Sequence, residues 1–287
     1  MDTAAHQDAE PPPARGPQLQ EKELLTKLAS LALKAGKSVM RVFEAGPRPR
    51  YKADASPVCE ADEAAEEVII AGLAARYPDI PIVAEEAAAR GAAPVCGGVF
   101  FLVDPLDGTR EFVQLNGDFT VNIALIVAGE PRAGVVYAPM TRRLWVGSTL
   151  TAGKPIAATG EAAPGGRAPA FASLRPVRAR PAPAAGLTAL VSRSHGEARA
   201  AAFLDALPVV ERRPMGSSIK FCLIAEGAGD VYPRFGPTME WDTAAGDAVL
   251  RAAGGRVVDE TGAPLRYGKA GQAYHNPPFI AWGAPPA

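Results

Sequence analysis

The sequence predicts a mixed α/β protein built as two lobes. Apolar residues recur at helical spacing over residues 24–43, and two strands joined by a Gly-Glu-Pro turn follow from residue 119. Strands then alternate with helices from residue 187 onward. A chain of 287 residues with 48% hydrophobic content can bury one large core or the cores of two lobes.

The first lobe is predicted over residues 19–150, after a polar, proline-rich tail at 1–18 that we expect to be disordered. A long amphipathic helix is predicted from Leu19 to Glu44, because its apolar residues keep to one face. It ends at the pair Gly46-Pro47, which cannot continue a helix.

Three further elements of the first lobe follow. A second helix is predicted from Asp62 to Tyr77, closed by Pro78, and the run IPIVA predicts a short buried strand that ends ahead of Glu85. The alternation over residues 119–139, continued by RLWVGST, predicts a β-meander.

Residues 151–186 are rich in Ala, Pro, Gly and Arg without clear periodicity, so an irregular linker or edge region is predicted there. The second lobe, residues 187–287, is predicted to be α/β, since strand and helix patterns alternate along it. Its predicted elements are the strands LTALVS, VVER and DVYP and the helices Glu197–Leu207, Ser217–Gly227 and Asp242–Ala253.

Composition excludes several classes of function. Lys and Arg number 30 against 31 for Asp and Glu, so the chain lacks the basic field of a nucleic-acid-binding protein. Three widely spaced cysteines suit neither a disulfide framework nor a zinc site, and we expect a reducing cytoplasm. No apolar run approaches the roughly 20 residues of a membrane span. Peripheral association with the inner membrane and the oligomeric state are left open.

The stretch FFLVDPLDGTREF, residues 100–112, contains several candidate functional residues close together. Asp104 and Asp107 flank Pro105, which restricts the backbone so that both carboxylates can face one point. Such hard oxygen ligands suit Mg²⁺, which keeps some positions for water and phosphate. The alternative is that D-P-x-D-G forms only a turn.

Other residues favour the metal site when taken together. Glu85 follows a buried strand, and Asp242 begins a predicted helix in the other lobe; alone, they would be a solvated acid and an ordinary N-cap. Thr109 could orient a water molecule, or be a simple turn hydroxyl. Gly108 would let backbone N–H groups approach a phosphate.

These motifs allow a family to be suggested. DPLDGTREF and EWDTAAGDAVLRAAGG resemble the two signature motifs of the magnesium-dependent, lithium-sensitive phosphatases of the inositol monophosphatase-like superfamily. KADASPVCEAD resembles the family segment with a catalytic aspartate, here Asp62, although Cys59 stands where threonine is common. The resemblance implies the sugar-phosphatase fold, a layered αβαβα sandwich of two lobes.

Further motifs point to one branch. VSRSHGE, NGDFTVNIALI and GSSIKFCLIAEGAGDVYPRFGPT resemble the 3′(2′),5′-bisphosphate nucleotidases of the CysQ type. That branch implies hydrolysis of adenosine 3′,5′-bisphosphate (PAP) to AMP and phosphate in support of sulfate assimilation, and leaves open an action on the phosphosulfate PAPS. The alternatives are an inositol-1-monophosphatase or related sugar phosphatase on the same metal core, and a non-catalytic nucleotide- or metal-binding regulator.

The resemblance also implies roles for individual residues. Two or three Mg²⁺ ions would be held by Glu85, Asp104, the Leu106 carbonyl, Asp107 and Asp242. Asp62, Thr109 and Glu85 would be catalytic, the first two by polarising the attacking water in a direct in-line displacement. The substrate would contact Gly108, Thr109, Ser194, His195, Ser217, Ser218, Lys220, Arg234 and Asp242.

Overall fold

The computed structural model describes residues 20–51, 57–193 and 198–285, so the predicted tail at 1–18 lies outside the described residues. The predicted mixed α/β class is confirmed. Within these ranges the strands form a seven-stranded sheet, a five-stranded sheet and a two-stranded ribbon. No helix in the described ranges has both the length and the apolar character needed to span a bilayer.

The described helices and strands occur in the following positions. The helices are α1 (Glu21–Ala45), α2 (Glu60–Arg76), α3 (Glu85–Ala89), α4 (Thr109–Val113), α5 (Ala198–Asp205), α6 (Ile219–Ala225) and α7 (Glu240–Ala252). The ribbon is β1 (Arg50–Tyr51) and β2 (Pro57–Val58). The first sheet contains β3 (Ile82–Ala84), β4 (Val99–Asp107), β5 (Thr120–Val127), β6 (Glu130–Ala138), β7 (Arg143–Ser148), β8 (Ile156–Glu161) and β9 (Arg175–Pro176). The second contains β10 (Leu187–Ser192), β11 (Val209–Met215), β12 (Val231–Arg234), β13 (Arg256–Asp259) and β14 (Phe279–Trp282).

The first sheet follows chain order from β3 to β9 and includes the predicted meander. Its first pair, β3 and β4, is parallel, and the later pairs are antiparallel. The turn between β5 and β6 lies at Ala128 and Gly129, not at the predicted Gly-Glu-Pro. Both residues have positive φ, which gives the backbone twist that closes a two-residue hairpin. Pro131 instead lies in β6, beside a register shift that accommodates its missing N–H.

The stretch predicted as irregular contains the edge of this sheet. β8 pairs with β7 over its full length, and β9 adds a short outer strand. β8 reads IAATGE, whose small residues carry little strand signal. The lobe boundaries at 150 and 186 stay a prediction.

The second sheet has the order β11-β10-β12-β14-β13. β10 is parallel to β11 and β12, as its helical crossovers require, whereas β14 runs antiparallel to both neighbours. The three helices predicted in this half are confirmed with shifted ends, and β13 and β14 are additions to the prediction.

Three apolar clusters show how the layers pack. One joins α1 and α2 to the first sheet, a second fills the space between the sheets around α6 and α7, and a third lies between the second sheet and α5. The order is therefore helix, sheet, helix, sheet, helix, and the predicted αβαβα sandwich is confirmed.

Candidate active site

A cleft of about 250 Å³ opens where both sheets meet the central helices. Its walls include ten residues that the sequence predicted for the site: Glu85, Asp104, Asp107, Gly108, Thr109, Ser217, Ser218, Lys220, Arg234 and Asp242. Leu106 and Asp62 lie directly behind this wall and contact Thr109. Ser194 and His195 lie outside the described residues.

The D-P-x-D-G motif is a bulge within β4 and not a plain turn after it. β4 pairs with β5 at Asp104 and again at Asp107, and the register shifts between them. Pro105 has no N–H to donate to the ladder, and the Leu106 N–H donates to Asp104 Oδ1 instead, at 3.0 Å. The bulge places both carboxylates on the cleft.

Four aspartates each commit one carboxylate oxygen to a backbone N–H. Asp62 and Asp242 stand at the third position of α2 and α7, and each accepts from the N-cap N–H of its helix at 2.8 Å. Asp242 is therefore not the N-cap that the plain alternative supposed. Asp104 accepts from Leu106, and Asp107 Oδ2 accepts from the Ser218 N–H. These bonds fix the carboxylates in place before any ligand arrives.

The carboxylates of Glu85, Asp104, Asp107 and Asp242 form an acidic wall of the cleft, and they repel one another when ionised. Burial raises the pKa of Asp104 well above its usual value, and Glu85, Asp107 and Asp242 raise it further. Burial likewise raises the pKa of Asp242, with Asp107 and Glu85 adding to it. Burial also raises the pKa of Asp107, but Lys220 opposes this. A bound cation would relieve this repulsion.

The donor set fits Mg²⁺. The candidate ligands are all oxygens, which suits a hard cation. Within the described ranges no group of three or more His, Cys, Asp or Glu side chains is arranged as a preformed metal site. Mg²⁺ commonly takes only one or two protein carboxylates and completes its coordination with waters and phosphate oxygens.

Asp62 and Thr109 form a hydrogen-bonded pair beside the acidic wall. Thr109 Oγ1 lies 3.3 Å from Asp62 Oδ1 and 3.1 Å from the Leu106 carbonyl oxygen, so its single proton can go to either. Burial raises the pKa of Asp62 to about 7, although hydrogen bonds from Cys59 oppose the rise. Cys59 donates through both its N–H and its thiol, at 2.8 and 3.1 Å.

The cleft also has a basic wall, formed by Lys220 and Arg234. Lys220 is only 4% exposed, and its Nζ donates to the carbonyls of Met215 and Ser217 at 3.2 and 2.7 Å. Burial lowers the pKa of Lys220 to about 8, with Asp107 opposing the change. Arg234, also buried, donates to the Pro237 carbonyl at 3.2 Å. Two buried cations therefore line the same cleft as the carboxylates.

The two predicted serines occupy different environments. Ser217 lines the cleft in a left-handed conformation, with φ of 48°, which is uncommon for a residue with a side chain. Ser218 is buried, and its hydroxyl bonds to Asn122 Oδ1 at 2.7 Å and to Thr120 Oγ1 at 2.8 Å. Its N–H, bound to Asp107, ties the second half of the chain to the acidic wall.

Several residues of the site were not found from the sequence. Thr120 and Asn122 are polar residues two positions apart on an otherwise apolar strand, so they share one face. That pattern could have identified them as a buried polar group beside Asp107. The cleft is further lined by Arg110, Glu111, Ser192, Gly216, Phe221, Tyr232, Thr238, Thr243 and Phe279.

Comparison with known proteins agrees with this geometry. The model of the inositol monophosphatase family matches residues 20–282. The chain belongs to the inositol monophosphatase family. Its resemblance to the CysQ-type branch is also supported, since 3′(2′),5′-bisphosphate nucleotidase CysQ of Escherichia coli K12 is 40% identical over 259 residues. That alignment covers 89% of this chain and 98% of the E. coli protein.

Solved structures of this family share the fold. The crystal structure of CysQ from Bacteroides thetaiotaomicron has a TM-score of 0.76 at 36% identity and covers 92% of this chain and 98% of its own. An inositol monophosphatase from Zymomonas mobilis gives a TM-score of 0.71 at 23% identity over 92% of this chain and 94% of its own. At that identity the second likeness shows the fold alone.

Proposed function

We propose that this protein is a magnesium-dependent 3′(2′),5′-bisphosphate nucleotidase that hydrolyses adenosine 3′,5′-bisphosphate to AMP and phosphate. The observation that carries the proposal is the division of one cleft into an acidic wall and a buried basic wall. Relatives about 40% identical over most of the chain carry the name of this activity.

The two walls suit two phosphates. Magnesium would be held by Glu85, Asp104, the Leu106 carbonyl, Asp107 and Asp242. When bound, it would supply positive charge that neutralises the phosphate and favours ionisation of a water molecule. Lys220 and Arg234 are suited to hold the second phosphate, because both cations are buried, where a charge-assisted hydrogen bond to an anion is less weakened by water.

The pair Asp62 and Thr109 is suited to align the attacking water. The Thr109 hydroxyl can donate to Asp62 and accept from the water, while Asp62, with its pKa raised to about 7, can exchange a proton near neutral pH. Burial raises the pKa of Cys59 to about 12 and that of Cys222 well above its usual value, so both thiols stay protonated. Direct displacement by water needs no such nucleophile.

The substrate test compares two phosphate monoesters. Phosphate release is measured with adenosine 3′,5′-bisphosphate and with inositol 1-phosphate, each with and without Mg²⁺ and with added Li⁺. We expect magnesium-dependent, lithium-inhibited release that is much faster from the nucleotide. Faster release from inositol 1-phosphate would overturn the substrate assignment, and no release from either would overturn the proposal.

Asp107→Asn tests the acidic wall. The amide keeps the size of the side chain and an oxygen that can accept from the Ser218 N–H, so the fold is retained. It removes one negative charge facing the metal, and we expect kcat/KM to fall by about 100-fold or more. Mg²⁺ affinity, measured by titration calorimetry without substrate, should fall in parallel. Unchanged affinity would contradict the ligand assignment.

A further inference from the structure

Asp118, in the loop between α4 and β5, contacts two segments of the second half of the chain. Its Oδ2 accepts hydrogen bonds from the Gly216 N–H at 3.0 Å and from Arg193 Nε and Nη2 at 3.0 and 2.7 Å. Gly216 belongs to the turn between β11 and α6, and Arg193 directly follows β10. A single carboxylate oxygen of the first half of the chain thus holds two segments of the second half.

The backbone of Asp118 is wedged between two glycines. A Cβ on Gly108 would lie 2.8 Å from the Asp118 carbonyl oxygen, and a Cβ on Gly216 would lie 2.7 Å from the same atom. Real Cβ atoms do not approach oxygen so closely, so both positions exclude any side chain. The turn that begins α4 and the turn that precedes α6 therefore both pack directly against the Asp118 backbone.

Three contacts hold the strained turn at Ser217. The Gly216 N–H donates to Asp118, the Ser218 N–H donates to Asp107, and the Ser217 carbonyl accepts from Lys220. Asp107 and Lys220 belong to the two walls of the cleft. Asp118 does not line the cleft, so its contribution is to fix the position of the turn.

We propose that Asp118, oriented by Arg193, is a positioning residue that sets the Gly216–Ser217 turn against Gly108 and thereby controls binding of the second phosphate of the substrate. The inference rests on the proposed function. It assigns a role in substrate discrimination to an ion pair at the rim, in which the Arg193 side chain is 41% exposed and that of Asp118 is 18% exposed.

The test compares a bisphosphate with a monophosphate. Asp118→Asn keeps the side-chain size but weakens the charged bonds to Arg193 and Gly216, which loosens the turn. We expect the KM for adenosine 3′,5′-bisphosphate to rise about 10-fold while kcat stays within about 3-fold. Adenosine 3′-monophosphate, which lacks the second phosphate, should show a change in KM of less than about 2-fold.

Arg193→Gln is a second test variant. The double variant, Asp118→Asn with Arg193→Gln, tests whether the two residues act together. Because the Arg193 side chain is partly exposed, its replacement is compatible with folding, and it should raise the same KM. The double variant should resemble Asp118→Asn alone, since both residues act through one contact. Glu130→Gln is the matched control, because it breaks a similar exposed ion pair with Arg266 that does not line the cleft.

The outcomes separate this inference from the proposed function. Equal rises in KM for both nucleotides, or additive effects in the double variant, would overturn the positioning role while leaving the nucleotidase intact. If the unaltered protein released phosphate from neither nucleotide, the proposed function itself would fail. Equal urea midpoints for all variants would show that the KM changes do not reflect partial unfolding.

Discussion

The Asp62 carboxylate is buried and accepts hydrogen bonds from three groups. One oxygen accepts from the Cys59 N–H and thiol, and the other faces the Thr109 hydroxyl, which can turn to the Leu106 carbonyl. An asparagine in the same orientation would satisfy every one of these groups. Its oxygen would accept from Cys59, and its amide would donate to Thr109.

Asp62→Asn should therefore separate stability from activity. The pKa of Asp62 is raised from 3.8 to about 7, so the ionised carboxylate destabilises the folded state above pH 7, and this cost fades as the pH falls through 7 toward 3.8. In metal-free buffer the variant should melt at a higher temperature than the unaltered protein at pH 8, by a margin that shrinks at pH 5. Turnover should drop by about 100-fold or more, since the exchangeable carboxyl is gone.

Two measurements check this prediction. Thermal melts at both pH values report the stability, and phosphate release reports turnover. A lower melting temperature for Asp62→Asn at pH 8 would show that the carboxylate is stabilised in the fold, against the burial argument. Near-normal turnover would remove Asp62 from the catalytic pair.

The site residues that lie in sequence motifs were predictable, whereas the long-range contacts that hold them in place were not. Asp104 and Asp107 could be read from D-P-x-D-G, because carboxylates beside a proline are unusual at the end of an apolar strand. The Asp118 carboxylate accepts from the backbone N–H of Gly216, and the backbone N–H of Ser218 donates to the Asp107 carboxylate, so each bond joins segments that are distant in the chain. Those contacts depend on how strands and turns meet in space, which a local pattern does not contain.

At the scale of elements, the close packing of α7 against its neighbours accounts for the many small residues in its sequence. The helix carries Asp242 and packs directly on β6 and β7 of the first sheet. A Cβ on Gly147 would lie 2.4 Å from Val249 Cα and 2.8 Å from the Ala248 carbonyl oxygen. On another face, a Cβ on Gly246 would lie 2.6 Å from the Phe221 ring. The helix is thus held between the sheet and α6 with no room for larger groups.

Gly147→Ala should lift α7 from the sheet. The added methyl group meets backbone atoms, which cannot turn aside, so we expect a loss of about 1–3 kcal/mol in the free energy of unfolding. Because Asp242 moves with the helix, kcat should fall more than 10-fold even though Gly147 does not line the cleft. Urea unfolding and phosphate release measure the two effects.

Gly98→Ala is the matched control for that substitution. An added Cβ at Gly98 meets nothing within 4 Å, so neither the urea midpoint nor kcat should change appreciably. If Gly147→Ala behaved like Gly98→Ala, the close packing of α7 would not be needed to position Asp242.

Elements with strong local signals were predicted, and those held by long-range pairing were missed. α1 was evident because its buried leucines and valines keep to one helical face. β8 gave no such signal, and β14 is a run of only four residues, Phe279–Trp282. β8 contains few β-branched residues, and β14 lies between β12 and β13, with which it pairs antiparallel.

For the whole molecule, the acidic wall joins elements that are far apart in the chain. Glu85 begins α3, Asp104 and Asp107 lie in β4, and Asp242 lies in α7. Their mutual repulsion and burial are destabilising when they are ionised, because the pKa values of the three aspartates are raised in the folded state. A cation that binds between them should stabilise the protein as a unit.

Magnesium should accordingly raise the melting temperature in a pH-dependent way. A carboxyl with a folded pKa above its unfolded value costs stability at high pH, and the cost is relieved as the pH falls through the folded pKa. At pH 8 the wall is most repulsive and most able to bind Mg²⁺, so saturating Mg²⁺ should raise the melting temperature by about 5 °C or more. At pH 5 protons compete for the same oxygens, and the shift should be smaller.

Potassium chloride at equal ionic strength separates binding from screening, and Asp107→Asn should reduce the magnesium shift. An equal shift with potassium, or one independent of pH, would mean that the carboxylates do not act together as a cation site.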